Sequence, residues 1–262
     1  MRSTSQEPAA PPLGDSLPAR SHASRTSHPF PAARRLPHAV LKTTMAVTGS
    51  IMGLFVLVHM IGNLKVFQGP QAYNGYAAML RSFAYPLLPH EGLLWALRVV
   101  LLACILAHAA AGTALWRRAR LARGPHRRRG LLPRSFAART MLLSGAVIGA
   151  FVVVHLLDLT LGRLVASPDY QPPSGHGPHL EVHAYANLVA SLSRPWMALL
   201  YTAVMVVIGL HLAQGLWSVL HDLGGTAPRL RRIWLALALL VALAITAGNG
   251  ALPLLVLTGV IS

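Results

Sequence analysis

Charge is scarce in this chain, and acid scarcest of all: 7 Asp and Glu among 262 residues, with charged side chains making up 11% and hydrophobic ones 54%. That balance excludes an ordinary soluble domain of this length. Cysteine is nearly absent. Cys104 stands alone, which rules out an internal disulfide framework, a thiolate zinc site and an iron–sulfur cluster held by this chain; it reads as a small packing residue. Residues 1–37, rich in Pro, Ala, Ser and Arg, lack the apolar stretch of a signal peptide and are expected to form a disordered cytoplasmic tail.

Long apolar runs are what the chain has in abundance. A spanning helix needs about 20 mostly apolar residues, and five such segments can be drawn, near 43–66, 92–116, 139–163, 195–220 and 233–261. The expected fold is therefore all-α, an integral membrane bundle of five transmembrane helices occupying residues 38–262. The net charge of +16 raises nucleic acid as a partner, but the placement of the arginines argues against it. Arg20, Arg25, Arg34, Arg35 and Lys42 precede the first span, Arg117 to Arg139 fill the second connection, and Arg229, Arg231 and Arg232 lie in the fourth. The other two connections hold only Lys65, Arg81, Arg163 and Arg194. By the positive-inside rule the N-terminus is expected in the cytoplasm and the C-terminus outside, in the cell's inner membrane. The basic face can also attract anionic lipid or a protein partner.

An internal repeat organises the first four spans. "TGSIMGLFVLVHMIGNL" (48–64) aligns without gaps on "SGAVIGAFVVVHLLDLT" (144–160), pairing Gly49 with Gly145, Gly53 with Gly149, Phe55 with Phe151 and His59 with His155. The second and fourth spans share "HAAAG" at His108 and "HLAQG" at His211. The first four helices thus read as two repeated helix pairs with one histidine per helix.

Each histidine lies roughly 15 to 17 residues into its helix, about 24 Å from the end at which the chain enters. Because successive helices run in opposite directions, His59 and His155 fall in the outer half and His108 and His211 in the inner half. The two levels are on the order of 15 Å apart. Polar side chains in the hydrocarbon core are costly and face a partner, and a neutral imidazole is a usual nitrogen ligand for iron. A lone membrane histidine can equally be an interhelical hydrogen-bonder. Four at matched depth, duplicated by a repeat, favour two bis-histidine haems, which leave iron no open position and suit it to electron transfer. The repeated glycines are open to two readings, close helix packing or room for a porphyrin.

"TGSIMGLFVLVHMIGNLKVF", "RVVLLACILAHAAAGTALW", "ARTMLLSGAVIGAFVVVHLLDLT" and "NLVASLSRPWMALLYTAVMVVIGLHLAQGLWSVL", in this order, resemble the membrane-anchor cytochrome b subunit of succinate:quinone oxidoreductases. The closest wording is that of the single-chain, five-helix, two-haem anchors of actinobacterial type. The resemblance covers about residues 43–222. It implies two haems b, the outer held by His59 and His155 and the inner by His108 and His211. It also implies a flavoprotein partner with covalent FAD, an iron–sulfur partner with three clusters docked on the cytoplasmic face, and a quinone, usually menaquinone, as the electron carrier in the membrane. Dicarboxylate chemistry then lies on the partner subunit. Some relatives carry a glutamate in the fourth helix as part of a proton path; Tyr201 to Leu220 contains no carboxylate, so that path is not carried over.

Two alternatives accompany this reading: the cytochrome b subunit of a formate dehydrogenase, hydrogenase or nitrate reductase, for which His211 and His221 on one helix leave an opening, and a haem-free transporter or structural anchor. Candidate quinone contacts at the outer end are Asn63, Lys65, Arg81, His90, Glu91 and Arg98. Arg98, about 15 Å before His108 along its helix, reads as a propionate partner, a quinone-orienting group or a snorkelling residue. Asp158 reads as an acceptor for the second ring nitrogen of His155 or as a solvated helix-end residue. The run "HGPHLEVH" (His176, His179, Glu181, His183) has metal-ligand spacing but is expected to be a solvated loop. His22, His28, His38, His126 and His221 read as loop or interfacial residues.

Overall fold

The structure, a computed structural model, describes residues 36–123, 133–175, 180–225 and 227–262, with the backbone alone at 123 and 133–138. The expected tail, except for its last two positions, lies outside the described residues. Among the described residues seven α-helices follow one another: α1 (His38–Asn63), α2 (Pro70–Arg81), α3 (Gly92–Arg123), α4 (Pro133–His155), α5 (Ala184–Leu192), α6 (Pro195–Asp222) and α7 (Pro228–Leu257). A 3-10 turn, Leu64–Gln68, continues α1, and a wide π turn, Leu156–Thr160, continues α4. Among the described residues there is no strand, only an isolated bridge between Ser174 and Glu181. Among the described residues five helices, α1, α3, α4, α6 and α7, are long and apolar enough to cross a bilayer. The protein is an all-α integral membrane bundle, and α1 with α3 and α4 with α6 are its two repeated pairs.

The spanning helices run further at their basic ends than the apolar runs alone suggest. Helix α1 starts at His38, α3 continues to Arg123, and α7 starts at Pro228 and stops at Leu257. Arginine, leucine and alanine are all good helix formers, and long basic side chains reach the interface from a helix end, so charge does not stop the helix there. Pro195 and Pro228 each open a helix at its first turn, where no N–H is needed.

Two helices were not expected from the apolar pattern. Helix α2 starts at Pro70 after Gly69, whose φ of 90° suits glycine, and α5 is shorter still at 9 residues. Neither approaches the length of a bilayer span. They pack on each other over one end of the bundle, and α5 buries Leu188, Ser191 and Leu192 against the rest. There Leu188 and Leu192 join a core with Val66, Phe151, Met197, Tyr201 and Leu252, and Tyr73 of α2 packs against it.

Packing is uneven. The most extensive contact is between α6 and α7, followed by α1 with α3, α4 with α6, and α1 with α6. Ala238, Ala242 and Ile245 are buried on α7, and Gly209 of α6 lets Thr246 approach so closely that a Cβ there would lie 2.0 Å from its Oγ1. Helices α1 and α6 are thereby the shared walls of the bundle, while α3 and α4 touch each other little.

Candidate functional site

Four helices each contribute one histidine, and the fold gathers them in two pairs. The ring centres of His59 (α1) and His155 (α4) are 5.9 Å apart, and those of His108 (α3) and His211 (α6) are 6.5 Å apart. These are the pairings, first helix with third and second with fourth, that the repeat suggested. All four side chains are half-buried.

Contacts along the helices measure the separation of the two levels. On α1, Thr48 and Gly49 touch His108, and His59 lies ten residues beyond Gly49, about 15 Å along the axis. On α4, Ser144 and Gly145 touch His211, and His155 is again ten residues further. Tyr201 on α6 reaches His155 and precedes His211 by the same ten residues. Three helices therefore report the same spacing.

Hydrogen bonds decide which ring nitrogen carries the proton. Thr48 Oγ1 donates to the Thr44 carbonyl at 2.6 Å and lies 3.0 Å from His108 Nδ1. With its own proton committed, the hydroxyl can only accept, so Nδ1 of His108 is the N–H donor. Ser144 repeats the arrangement: its Oγ donates to Met141 O at 3.0 Å and accepts from His211 Nδ1 at 2.9 Å. Tyr201 donates its hydroxyl to Asp158 Oδ2 at 3.0 Å and accepts from His155 Nδ1 at 3.4 Å. With those hydroxyl protons so placed, Nδ1 is the protonated nitrogen in three of the four rings; His108 also bonds the Met45 backbone. Among the described residues no hydrogen bond reaches His59; Phe55, one turn earlier, stacks on it at 5.6 Å and 9°. Phe151 stands in the same relation to His155 at 6.0 Å and 30°.

The spacing suits a metal held between each pair. Ring centres 5.9 and 6.5 Å apart are close enough for both imidazoles of a pair to reach one metal ion through bonds of about 2.0 Å. Gly149 is exposed, and a Cβ added there would meet nothing within 4 Å. By donor type and ring spacing, His59 with His155 and His108 with His211 would each be able to hold the iron of one haem.

The repeated glycines divide between roles. A Cβ at Gly49 would lie 3.2 Å from His108 Cε1, and one at Gly145 would lie 3.6 Å from His211 Cε1. Both seat an imidazole from the neighbouring helix. Gly53 faces Leu212 Cδ2 at 3.5 Å, as in ordinary helix packing, whereas Gly149 faces open space.

Asp158 is not a solvated helix-end residue but is 1% exposed. Its carboxylate accepts from Arg194 Nη2 at 2.8 Å, Ser191 Oγ at 2.5 Å and the Tyr201 hydroxyl. The wide turn after His155 carries Asp158 toward α5 and α6 instead of leaving it one regular turn beyond the imidazole. It reaches His155 only through Tyr201.

At the same end of the bundle, Arg98 meets Glu91 at 3.4 Å and stacks 4.7 Å from the Trp95 ring, while Arg81 meets Glu91 from the other side at 3.2 Å. Asn63 donates to Asn249 at 3.0 Å and accepts from Tyr73 at 3.4 Å. Burial, and then the neighbouring Tyr76, push the Tyr73 hydroxyl up to about 12, which keeps it a donor. Lys65 lies 5.8 Å from the Tyr76 ring, and His90 is half-buried beside Glu91.

His221 sits at the exposed end of α6, where its Nδ1 lies 3.0 Å from the Trp217 carbonyl. Among the described residues no ring contact joins it to another histidine; the ring contact it makes is with Trp217. His22, His28, His126, His176 and His179 lie outside the described residues. Glu181 pairs through its backbone with Ser174, and His183 precedes the first turn of α5. Among the described residues no cluster of three His, Cys, Asp or Glu side chains forms.

Thr48, Ser144 and Tyr201 were not singled out by sequence reasoning. Thr48 and Ser144 were nonetheless visible as the aligned hydroxyl before each repeated glycine, and Tyr201 as the one hydroxyl ten residues before His211.

No family model matches this chain, and no curated protein matches it either.

Proposed function

We propose that this protein is the dihaem cytochrome b anchor of a succinate:quinone oxidoreductase, carrying electrons between an iron–sulfur partner and a membrane quinone. The observation that carries the reading is the arrangement of the histidines: two pairs at ligand spacing, with a hydroxyl at Nδ1 of three of the four rings. Among the described residues the side-chain hydrogen bonds of His108, His211 and His155 are made at Nδ1, an arrangement that would leave Nε2 of these rings to a metal.

His59 and His155 would hold one haem and His108 and His211 the other. Bound with two imidazoles, each haem supplies one-electron transfer without an open coordination position. The chain's own residues orient the rings, and the lipid-facing helices keep water from them. The arginine-rich end, with Arg117, Arg118, Arg120, Arg229, Arg231 and Arg232, would face the cytoplasm and receive the iron–sulfur and flavoprotein subunits. Quinone, with menaquinone the first candidate, would react at the opposite end, near Asn63, Arg81, His90, Glu91 and Arg98. The resemblance of residues 43–222 to the anchor family supports the succinate complex over other quinone-linked dehydrogenases.

Purification from membranes tests this assignment. The succinate reading expects a flavoprotein with covalent FAD and an iron–sulfur protein to accompany the chain, together with succinate-dependent reduction of its cytochrome b. Reduction by formate or hydrogen and not by succinate would overturn it.

A further inference from the structure

Two of the hydroxyls that accept from histidine, Thr48 and Ser144, pass their own protons to backbone carbonyls. The third, Tyr201, passes its proton to a carboxylate. All three bonds at the Asp158 oxygens are donated to them, by Arg194, Ser191 and Tyr201, so the carboxyl acts as an acceptor only. Arg194 is in turn fixed by the carbonyls of Val165 at 2.7 Å and Ser191 at 3.1 Å. A buried ion pair at the end of a spanning helix is a costly feature that a methyl-lined core would avoid, and this one ends on a histidine of the candidate site.

On the reading that the histidine pairs bind haem, we propose that Tyr201, backed by Asp158 and Arg194, is a positioning residue that fixes the His155 tautomer and lowers the potential of the haem held by His59 and His155. The physical step is a graded hydrogen-bond chain. A phenol that donates to a carboxylate carries more negative charge on its oxygen, since linked hydrogen bonds polarise one another. That oxygen draws the Nδ1 proton of His155 more strongly and makes the imidazole a more basic ligand. A more basic ligand favours the oxidised iron and so lowers the potential. The hydroxyls at the other pair end on neutral carbonyls and exert no comparable pull.

The test is a redox titration of the purified complex carrying Tyr201→Phe, which keeps the ring packed 4.9 Å from Phe151 and removes only the hydroxyl. The expected result is two haems per chain, with a higher potential and a changed low-spin EPR signal for the haem that His155 replacement removes, and the other haem unmoved. Asp158→Asn should shift the same haem in the same direction by less. Selective loss of that haem in Tyr201→Phe, with the other retained, also supports the relay. Two haems at unchanged potentials in both variants would overturn it, as would equal loss of both haems, which would assign the network to folding. A wild-type chain without haem would instead defeat the reading on which the proposal rests.

Discussion

Thr48 and His108 are joined across α1 and α3 by a 3.0 Å hydrogen bond whose direction is fixed, because the threonine proton already lies on the Thr44 carbonyl. Ser144 and His211 are joined in the same way across α4 and α6. The repeat therefore conserves a working contact between its two copies as well as a shape.

Thr48→Ala and Ser144→Ala each remove an acceptor that orients a ring. Loss of such a partner typically weakens metal binding by about 10- to 100-fold. Each variant is expected to lose haem from the His108/His211 level during detergent washing while the other level is kept, as read from the amplitude and potential of the two b-type components. Thr48→Ser, which restores the hydroxyl, is expected to hold both haems.

The two copies differ in how tightly glycine seats the ring. Gly49→Ala puts a methyl 3.2 Å from His108 Cε1 and should displace that ring by a few tenths of an ångström, whereas Gly145→Ala makes an ordinary 3.6 Å contact with His211 Cε1. Haem content at this level is expected to fall in the first variant and to stay near wild type in the second. Equal effects of the two substitutions would contradict the geometry.

Pairing has its own signature. Replacement of His59 or His155 by Ala should remove one and the same haem, and replacement of His108 or His211 the other. Redox titration of the four variants reads this directly; uniform loss of both haems in all four would undermine the pairing.

Helix α7 lies outside the repeat and is held to α6 at Gly209. A methyl group there would run into Thr246, where a Cβ would lie 2.0 Å from Oγ1, and overpacking of this kind costs about 1–3 kcal/mol. Gly209→Ala is expected to lower the thermal stability of the detergent-solubilised protein, and adding Thr246→Ala, which removes the colliding oxygen, should recover most of the loss.

The five spans and the two pairs of histidines were legible because each rests on a period that the chain repeats: about 20 apolar residues per span, and one "GxxxxxxxxxH" offset, Gly49 to His59 and Gly145 to His155, per copy. Helices α2 and α5 were not, since neither has an apolar run long enough to span a bilayer, α5 being apolar but only 9 residues long. The fate of Asp158 was open for a different reason. Its distance from His155 in the sequence suggested direct contact, but the π turn at Leu156–Thr160 changes which way it faces, and its partners Ser191, Arg194 and Tyr201 lie more than thirty residues away. Tertiary contacts of that range leave no periodic trace.

The central claim is that each histidine pair holds a haem. It is tested most directly by a pyridine haemochrome assay on the purified protein, set against its concentration and accompanied by a dithionite-reduced minus oxidised spectrum. The account predicts a b-type α-band and two haems per chain; no α-band, or well under two haems per chain, would contradict it.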